Sequence, residues 1–337
     1  MRSKDRTTIS HVAREAGVST QTVSRVLNDR PDVAPETREL VQQVIARLGY
    51  QPSAIARGLA SRHTRTLGLI TADFGDYFFN QVIAGAEIEA RKHGYFVMLG
   101  STERNPKDEP EYLRLLTERQ VEGILFALPS TEVDTRPLEN LLKDGVPVVT
   151  TAYHLPNHRL TVVDVDNVDG AEKATQHLLD SGHHQIATIT GPRQWKSVSD
   201  RHVGYRAALE NAGLQADPAL AVEGDWTYVS GYKAIEELLG RKVQFTGIFA
   251  QSDQMAIGAM RALRDAGKRI PEDISIVGYD DIPVAAYCDP PLTTMRQPMR
   301  EVGQVAARLL IQTIENADII EEEVLLKTEL IRRNSCV

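Results

Sequence analysis

ISHVAREAGVSTQTVSRVLN, residues 9–28, carries two short helical patterns separated by a glycine. Ile9, Val12, Ala13 and Ala16 recur at helical spacing and share one face. Gly17 follows where a left-handed residue ends a helix. Ser19 stands as N-cap of a second helix, Thr20 to Asn28, whose inner side is Val23, Val26 and Leu27. Two helices joined by a turn at 16–18 have the helix-turn-helix layout, in which the second helix enters the DNA major groove. Its outward face presents Thr20, Gln21, Ser24, Arg25 and Asn28. Glutamine bonds adenine bidentately, arginine bonds guanine, and a threonine methyl touches thymine. A plain helical hairpin with a polar face has the same pattern, so spacing does not separate the two.

Working outward, Pro35 occupies a first helical turn, and Leu40, Val41, Val44, Ile45 and Leu48 continue a third helix to Gly49. Pro52 breaks the pattern. Residues 1–51 therefore read as one all-α domain, and 52–65 as a basic, weakly helical linker. The chain of 337 residues has a net charge of −8, but its first 65 residues hold 11 Lys/Arg against 6 Asp/Glu. A basic head of +5 on a body of −13 is the electrostatic footprint of one small module that binds phosphate.

From Leu67 short apolar runs such as LGLIT, GILFAL, QIATIT and ISIVGYD alternate with helix-period segments. That alternation predicts parallel sheets covered on both faces, and a polar break near residue 160 divides them into two lobes. Ligands of such folds bind beyond the carboxyl ends of the strands. No run is long enough for a membrane helix, and the start, MRSKDRTTIS, lacks a secretory apolar stretch. Two cysteines, Cys288 and Cys336, sit in no metal-ligand spacing and fit a reducing cytoplasm. His183–His184 has no third ligand near in sequence and reads as a turn; no metal or cofactor is expected. No P-loop, G-x-S-x-G, HExxH or CxxC occurs.

AREAGVSTQTVSRVLN, TRELVQQVIARLGYQPS, GPRQWKSVSDRHVGYRAAL, QSDQMAIGAMRAL, ISIVGYDDIP and PPLTTMRQP together resemble the LacI/GalR regulators, nearer its lac-type than its purine-type members. The resemblance spans nearly the whole chain. It implies a periplasmic-binding-protein-like core of two doubly wound lobes at 66–337, lobe one being 66–160 and 292–322, lobe two 161–291 and 323–337. It implies Thr20, Gln21 and Arg25 as base readers, with Ser24 and Asn28 near phosphate or base edges. In the linker it implies a hinge helix formed on a palindromic operator, with Arg57 facing phosphate and Leu59 wedged into the minor groove. A segment of about ten residues containing Gly58 is too short to be a stable helix by itself. Ala34 departs from the family's capping Ser or Thr.

For the core the resemblance implies a sugar effector held by Arg201, Asp280, Trp226 and Asp169: one guanidinium, two carboxylates and an indole for a neutral polyhydroxylated ring. Ser252 and Met299 stand where lac-type members carry asparagine and phenylalanine, and Asp73, Phe74 and Asp76 also differ, so a galactoside-like ligand of altered shape is expected. The implied protein is a cytoplasmic homodimer, nucleoid-associated when bound to DNA, a repressor and not an enzyme. Two rivals share the core: a sugar transport receptor, which the basic N-terminal module and the lack of a signal peptide disfavour, and a glycoside-acting enzyme using Asp169 and Asp280, which turnover of a chromogenic glycoside would reveal.

Overall fold

The computed structural model describes residues 7–50, 63–128, 135–151, 160–316 and 323–336, in two compact units that divide after Arg65. In the first unit, helices α1 (Ile9–Glu15), α2 (Thr20–Leu27) and α3 (Pro35–Leu48) close on Val12, Ala13, Ala16, Val23, Val26, Val41 and Val44. Ser19 Oγ accepts the Thr22 N–H at 3.0 Å, the cap the sequence predicts. Gly17 has φ +64° and Gly49 +58°, left-handed backbone that side chains disfavour. Ala34 makes no side-chain cap, and Pro35 presets the first turn in its place.

The second unit holds two six-stranded sheets. The first runs through β1 (Thr66–Thr71), α4 (Tyr77–Lys92), β2 (Phe96–Ser101), α5 (Glu109–Glu118), β3 (Gly123–Ala127), α6 (Arg136–Lys143), β4 (Val148–Thr151) and β5 (Thr161–Val165). The second follows as α7 (Asn167–Asp180), β6 (Ile186–Thr190), α8 (Lys196–Asn211), β7 (Ala221–Glu223), α9 (Tyr228–Gly240), β8 (Gly247–Ala250), α10 (Asp253–Asp265), β9 (Ser275–Asp280) and β10 (Thr293–Arg296). The chain then returns to the first sheet with α11 (Met299–Asn316) and β11 (Glu323–Leu326), and ends in the second with β12 (Glu329–Ile331). The orders are β11-β5-β4-β3-β1-β2 and β12-β10-β9-β8-β6-β7, parallel except for β12. Each is the doubly wound arrangement with a switch point beside its first strand, where the connections on either side leave a crevice. Among the described residues no helix is long and apolar enough to cross a membrane.

The lobe limits differ from those expected. Residues 161–165 pair with β4 in the first sheet, 293–296 with β9 in the second, and 323–326 with β5 in the first. The crossings therefore fall at about 166, 297–298 and 327–328. The polar break near 160 leads to one more strand of the same sheet, because a strand's sheet is set by its neighbours, which local pattern does not record.

Glycines fix the helix pairs that carry the site. A Cβ on Gly85 of α4 would lie 2.0 Å from the Arg300 carbonyl, and one on Gly303 of α11 would lie 2.0 Å from the Val82 carbonyl. The two backbones touch, which fixes the middle of α4 against α11.

Candidate functional sites

In the first unit Thr20, Gln21, Arg25 and Asn28 are exposed along α2, and Ser24 is half-buried. Asn28 Nδ2 donates to the Ser24 carbonyl at 2.9 Å. Val23 and Val26 are buried behind them, so the polar face is rigidly backed and free to meet a groove. The Arg25 guanidinium lies 3.5 Å from Asp32, both exposed. Such a pair is weak, about 0–1 kcal/mol. Asp32 nevertheless competes with any acceptor for Arg25 and repels phosphate. Asp32→Asn is expected to tighten DNA binding about two- to fivefold, read by titration at fixed salt. Arg57 and Leu59 lie outside the described residues.

In the second unit a cavity opens where the strands of both sheets end. From the first sheet come Asp76, N-cap of α4, with Phe78 and Phe79. The end of β5 supplies Asp164 and the start of α7 supplies Asn167. Beyond β6 come Trp195, Ser197 and Arg201 of α8, and Trp226 lies past β7. Ser252 caps α10, its Oγ accepting the Met255 N–H at 3.2 Å. Asp280 ends β9, and Gln297 sits on the crossing to α11.

Arg201 is 4 % exposed and organises this wall. Its Nε donates to Asn167 Oδ1 at 2.9 Å, its Nη1 to the Gln251 carbonyl at 2.6 Å, and its plane lies 3.8 Å from the centre of the Tyr279 ring. Gln297 Nε2 donates to Asp280 Oδ1 at 2.5 Å. Burial pushes the Asp280 carboxyl up to about 7, against the pull of Arg201 and with the help of Asp76. Burial likewise raises Asp76, although the Phe78 N–H and Arg104 oppose it. Asp253, fully buried, is raised well above the usual range by burial and by Asp280, although it accepts the Ile282 N–H and the Thr294 hydroxyl. Trp226 (φ +72°) and Asp280 (φ +123°) are held in backbone conformations that cost non-glycine residues of order 1–3 kcal/mol and cluster at functional sites. Trp226 Nε1 and both side-chain amide atoms of Gln251 are buried with no hydrogen-bond partner among the described residues. An unmet Trp226 N–H beside a guanidinium, carboxylates and indoles suits a ligand rich in hydroxyls and apolar on its ring faces.

Of the nine residues predicted for this site, Asp76, Arg201, Trp226, Ser252 and Asp280 line the cavity. Asp169 does not. It sits two residues past Asn167 in the first turn of α7, about 200° round the helix, and pairs with Lys173 at 2.5 Å. The Asp169–Asp280 pair that an enzyme reading needs is therefore not assembled, and Asn167 takes the inward position. Met299 is buried in the first sheet's core instead. Asp73 stands back from the cavity, accepting Arg104 Nε at 3.1 Å, while Arg104 Nη2 reaches Asp76 at 2.9 Å. Phe74 is 43 % exposed and not in the lining. Sequence reasoning missed Phe78, Phe79, Asn167, Trp195 and Gln297. Their common signal is a position just beyond a strand's carboxyl end. His183 Nδ1 lies 3.0 Å from Thr246 Oγ1, on the turn before β6.

The sequence signature of bacterial regulatory proteins of the lacI family matches residues 8–53, and that of the periplasmic binding protein-like domain matches residues 175–336. The HTH-type transcriptional regulator CelR of Thermobifida fusca is 38 % identical over 99 % of this chain and 100 % of its own. Catabolite control protein A of Priestia megaterium is 38 % identical over 94 % and 95 %. Among solved structures, a lac repressor dimer bound to operator and the anti-inducer ONPF aligns with TM-score 0.88 at 30 % identity, covering 98 % of each chain. A transcriptional regulator CelR–cellobiose complex aligns with TM-score 0.76 at 35 % identity, covering 98 % and 100 %.

Proposed function

Because the chain belongs to the lacI family of bacterial regulatory proteins, we propose that it is a repressor released from its operator by a neutral disaccharide bound in the cleft. It is a DNA-binding transcriptional regulator, not an enzyme, and its effector is a sugar. The observation that carries the finer reading is the ring of Arg201, Asp280, Asn167 and Trp226 at the carboxyl ends of both sheets. Guanidinium and carboxylate pair with ring hydroxyls, while an indole covers the apolar face of a pyranose. The cellobiose held by a relative supports a β-linked two-ring sugar, and galactosides, to which the sequence pointed, are the companion class.

Thr20, Gln21 and Arg25 read bases, Ser24 and Asn28 lie near phosphate or base edges, Arg57 meets phosphate, and Leu59 enters the minor groove. Exposed Phe96, Met98 and Leu99 on edge strand β2, with Tyr228, Val229 and Tyr287 from the second sheet's side, support a homodimer. A dimer presents two recognition helices to the half-sites of a palindrome. The protein works in the cytoplasm, on the nucleoid when bound to its operator. Sugar binding changes the separation of the two sheets about the crossings at 166, 297–298 and 327–328. A ligand moves that balance only by its differential affinity for the two states, so coupling of about 1–3 kcal/mol or more is required.

Anisotropy of a labelled palindromic operator, titrated at fixed salt with and without cellobiose, lactose and related sugars, tests the reading. Release by one of them at least tenfold is the expected result. Tight operator binding that no sugar alters would overturn the effector class.

A further inference from the structure

The cleft as it stands, open on one side, leaves about 50 Å³ free. That is far less than the roughly 300–1,000 Å³ that pockets for small ligands span. A sugar therefore enters only if the lobes part or a lining side chain moves, and the aromatic packing identifies the side chain that stands in the way. The six-membered ring of Trp226 lies so close to Gly191 that a Cβ there would be 2.0 Å from it. That side of the indole is closed by backbone. On another side sits the Trp195 indole, centroid to centroid 5.2 Å and tilted by 56°. Trp195 also reaches Phe79 at 6.4 Å, a residue carried by the first sheet's helix α4. The Arg104 guanidinium, which bridges Asp73 and Asp76, lies 5.9 Å from the Trp195 ring. Trp195 is itself only half-buried, at the N-cap of α8, where its side chain makes no capping hydrogen bond. It is thus a large apolar group held in the cleft by contacts to both sheets and by a cation, at the place where a ring would meet Trp226.

We propose that Trp195 is a specificity-determining residue, an internal occupant of the sugar-stacking place on Trp226 that sets the minimum size of the effector. An incoming sugar must replace the contacts that the indole makes with Trp226, Phe79 and Arg104. A disaccharide brings a second ring and several more hydroxyls to offset that loss; a single pyranose does not. Displacement also breaks an aromatic bridge between the two sheets, so the contact that selects for size is one that restrains the lobes. The inference rests on the sugar reading of this cleft.

The test is calorimetric titration of wild-type protein and Trp195→Ala with glucose and with cellobiose, with Trp195→Phe as a control that keeps a ring. Melting temperatures establish that the variants are folded. The expected result is wild type binding cellobiose and rejecting glucose, with Trp195→Ala binding glucose at least tenfold more tightly than wild type and cellobiose no more weakly. Trp195→Phe should fall between them. If Trp195→Ala instead loses cellobiose tenfold and gains nothing for glucose, Trp195 is a wall of the bound site and the proposal is overturned. If no variant binds either sugar while all bind operator, the sugar reading fails and this inference goes with it.

Discussion

Replacing Arg201 with alanine is expected to abolish release by sugar while operator binding stays within about threefold of wild type. Two of the five guanidinium N–H donors are committed to Asn167 and to the Gln251 carbonyl, and these bonds aim the remainder. Hydrogen bonds from a charged group contribute about 1.5–3 kcal/mol each, so losing two toward a ligand weakens binding roughly a hundredfold or more. The substitution also withdraws the cation that holds the Asp280 carboxyl down. With that opposition gone, Asp280 protonates at neutral pH and loses acceptor strength toward ring hydroxyls. The cost is not confined to the ligand, because buried Asn167 and the Gln251 carbonyl lose their partner. Arg201→Lys is therefore the companion variant, keeping charge without the planar fork. Operator anisotropy with and without sugar, beside a melting curve, separates the effects. If Arg201→Ala is released at an unchanged sugar concentration, the ligand lies elsewhere.

The parts legible in the sequence are those whose causes are local. Gly17, the Ser19 cap, and Val23 and Val26 on one face of α2 specify the helix-turn-helix within 20 residues, and the structure reproduces each. Arg201, Trp226, Ser252 and Asp280 were legible through resemblance, since each sits in a motif that persists as a unit. What sequence could not assign depends on pairings far along the chain. Strand 161–165 has the same apolar pattern in either sheet, and only its pairing with β4 and β11 places it. Asn167 is eclipsed in sequence by Asp169, because a carboxylate looks more like a ligand, yet two steps along a helix turn a side chain to the opposite face. Trp195 shows no sign of its role in sequence, because its neighbours Phe79 and Trp226 are 116 and 31 residues away. Met299 faces the first sheet's core because α11 packs backbone to backbone on α4.

Asp280→Asn should raise the melting temperature at pH 8 while weakening the effector. Asp280, Asp76 and Asp253 crowd the carboxyl ends of the strands, with Arg201 as the buried cation beside Asp280, and all three carboxyls are raised, burial being the largest cause. A carboxyl that titrates at about 7 when folded and at its ordinary value when unfolded binds more protons in the folded state between those limits. Stability is therefore greatest at the acidic end of that window, falls across it as pH rises toward 7, and levels off above about 7. An amide at 280 carries no charge, so the variant loses this part of the slope and gains most at pH 8. A gain of roughly 1 kcal/mol corresponds to about 2–4 °C in a domain of this size. The carboxylate is nevertheless the better acceptor for sugar hydroxyls, so wild-type affinity should weaken about tenfold from pH 8 to pH 6. Asp280→Asn should be weak and flat across that range. Melting curves from pH 5 to 8 and calorimetry at pH 6 and 8 read both effects. A variant less stable at pH 8 would show that the Gln297 contact outweighs the repulsion, and an unchanged pH profile for sugar would remove Asp280 from the ligand's partners. If both expectations hold, the cleft retains a destabilising charge because that charge binds the effector.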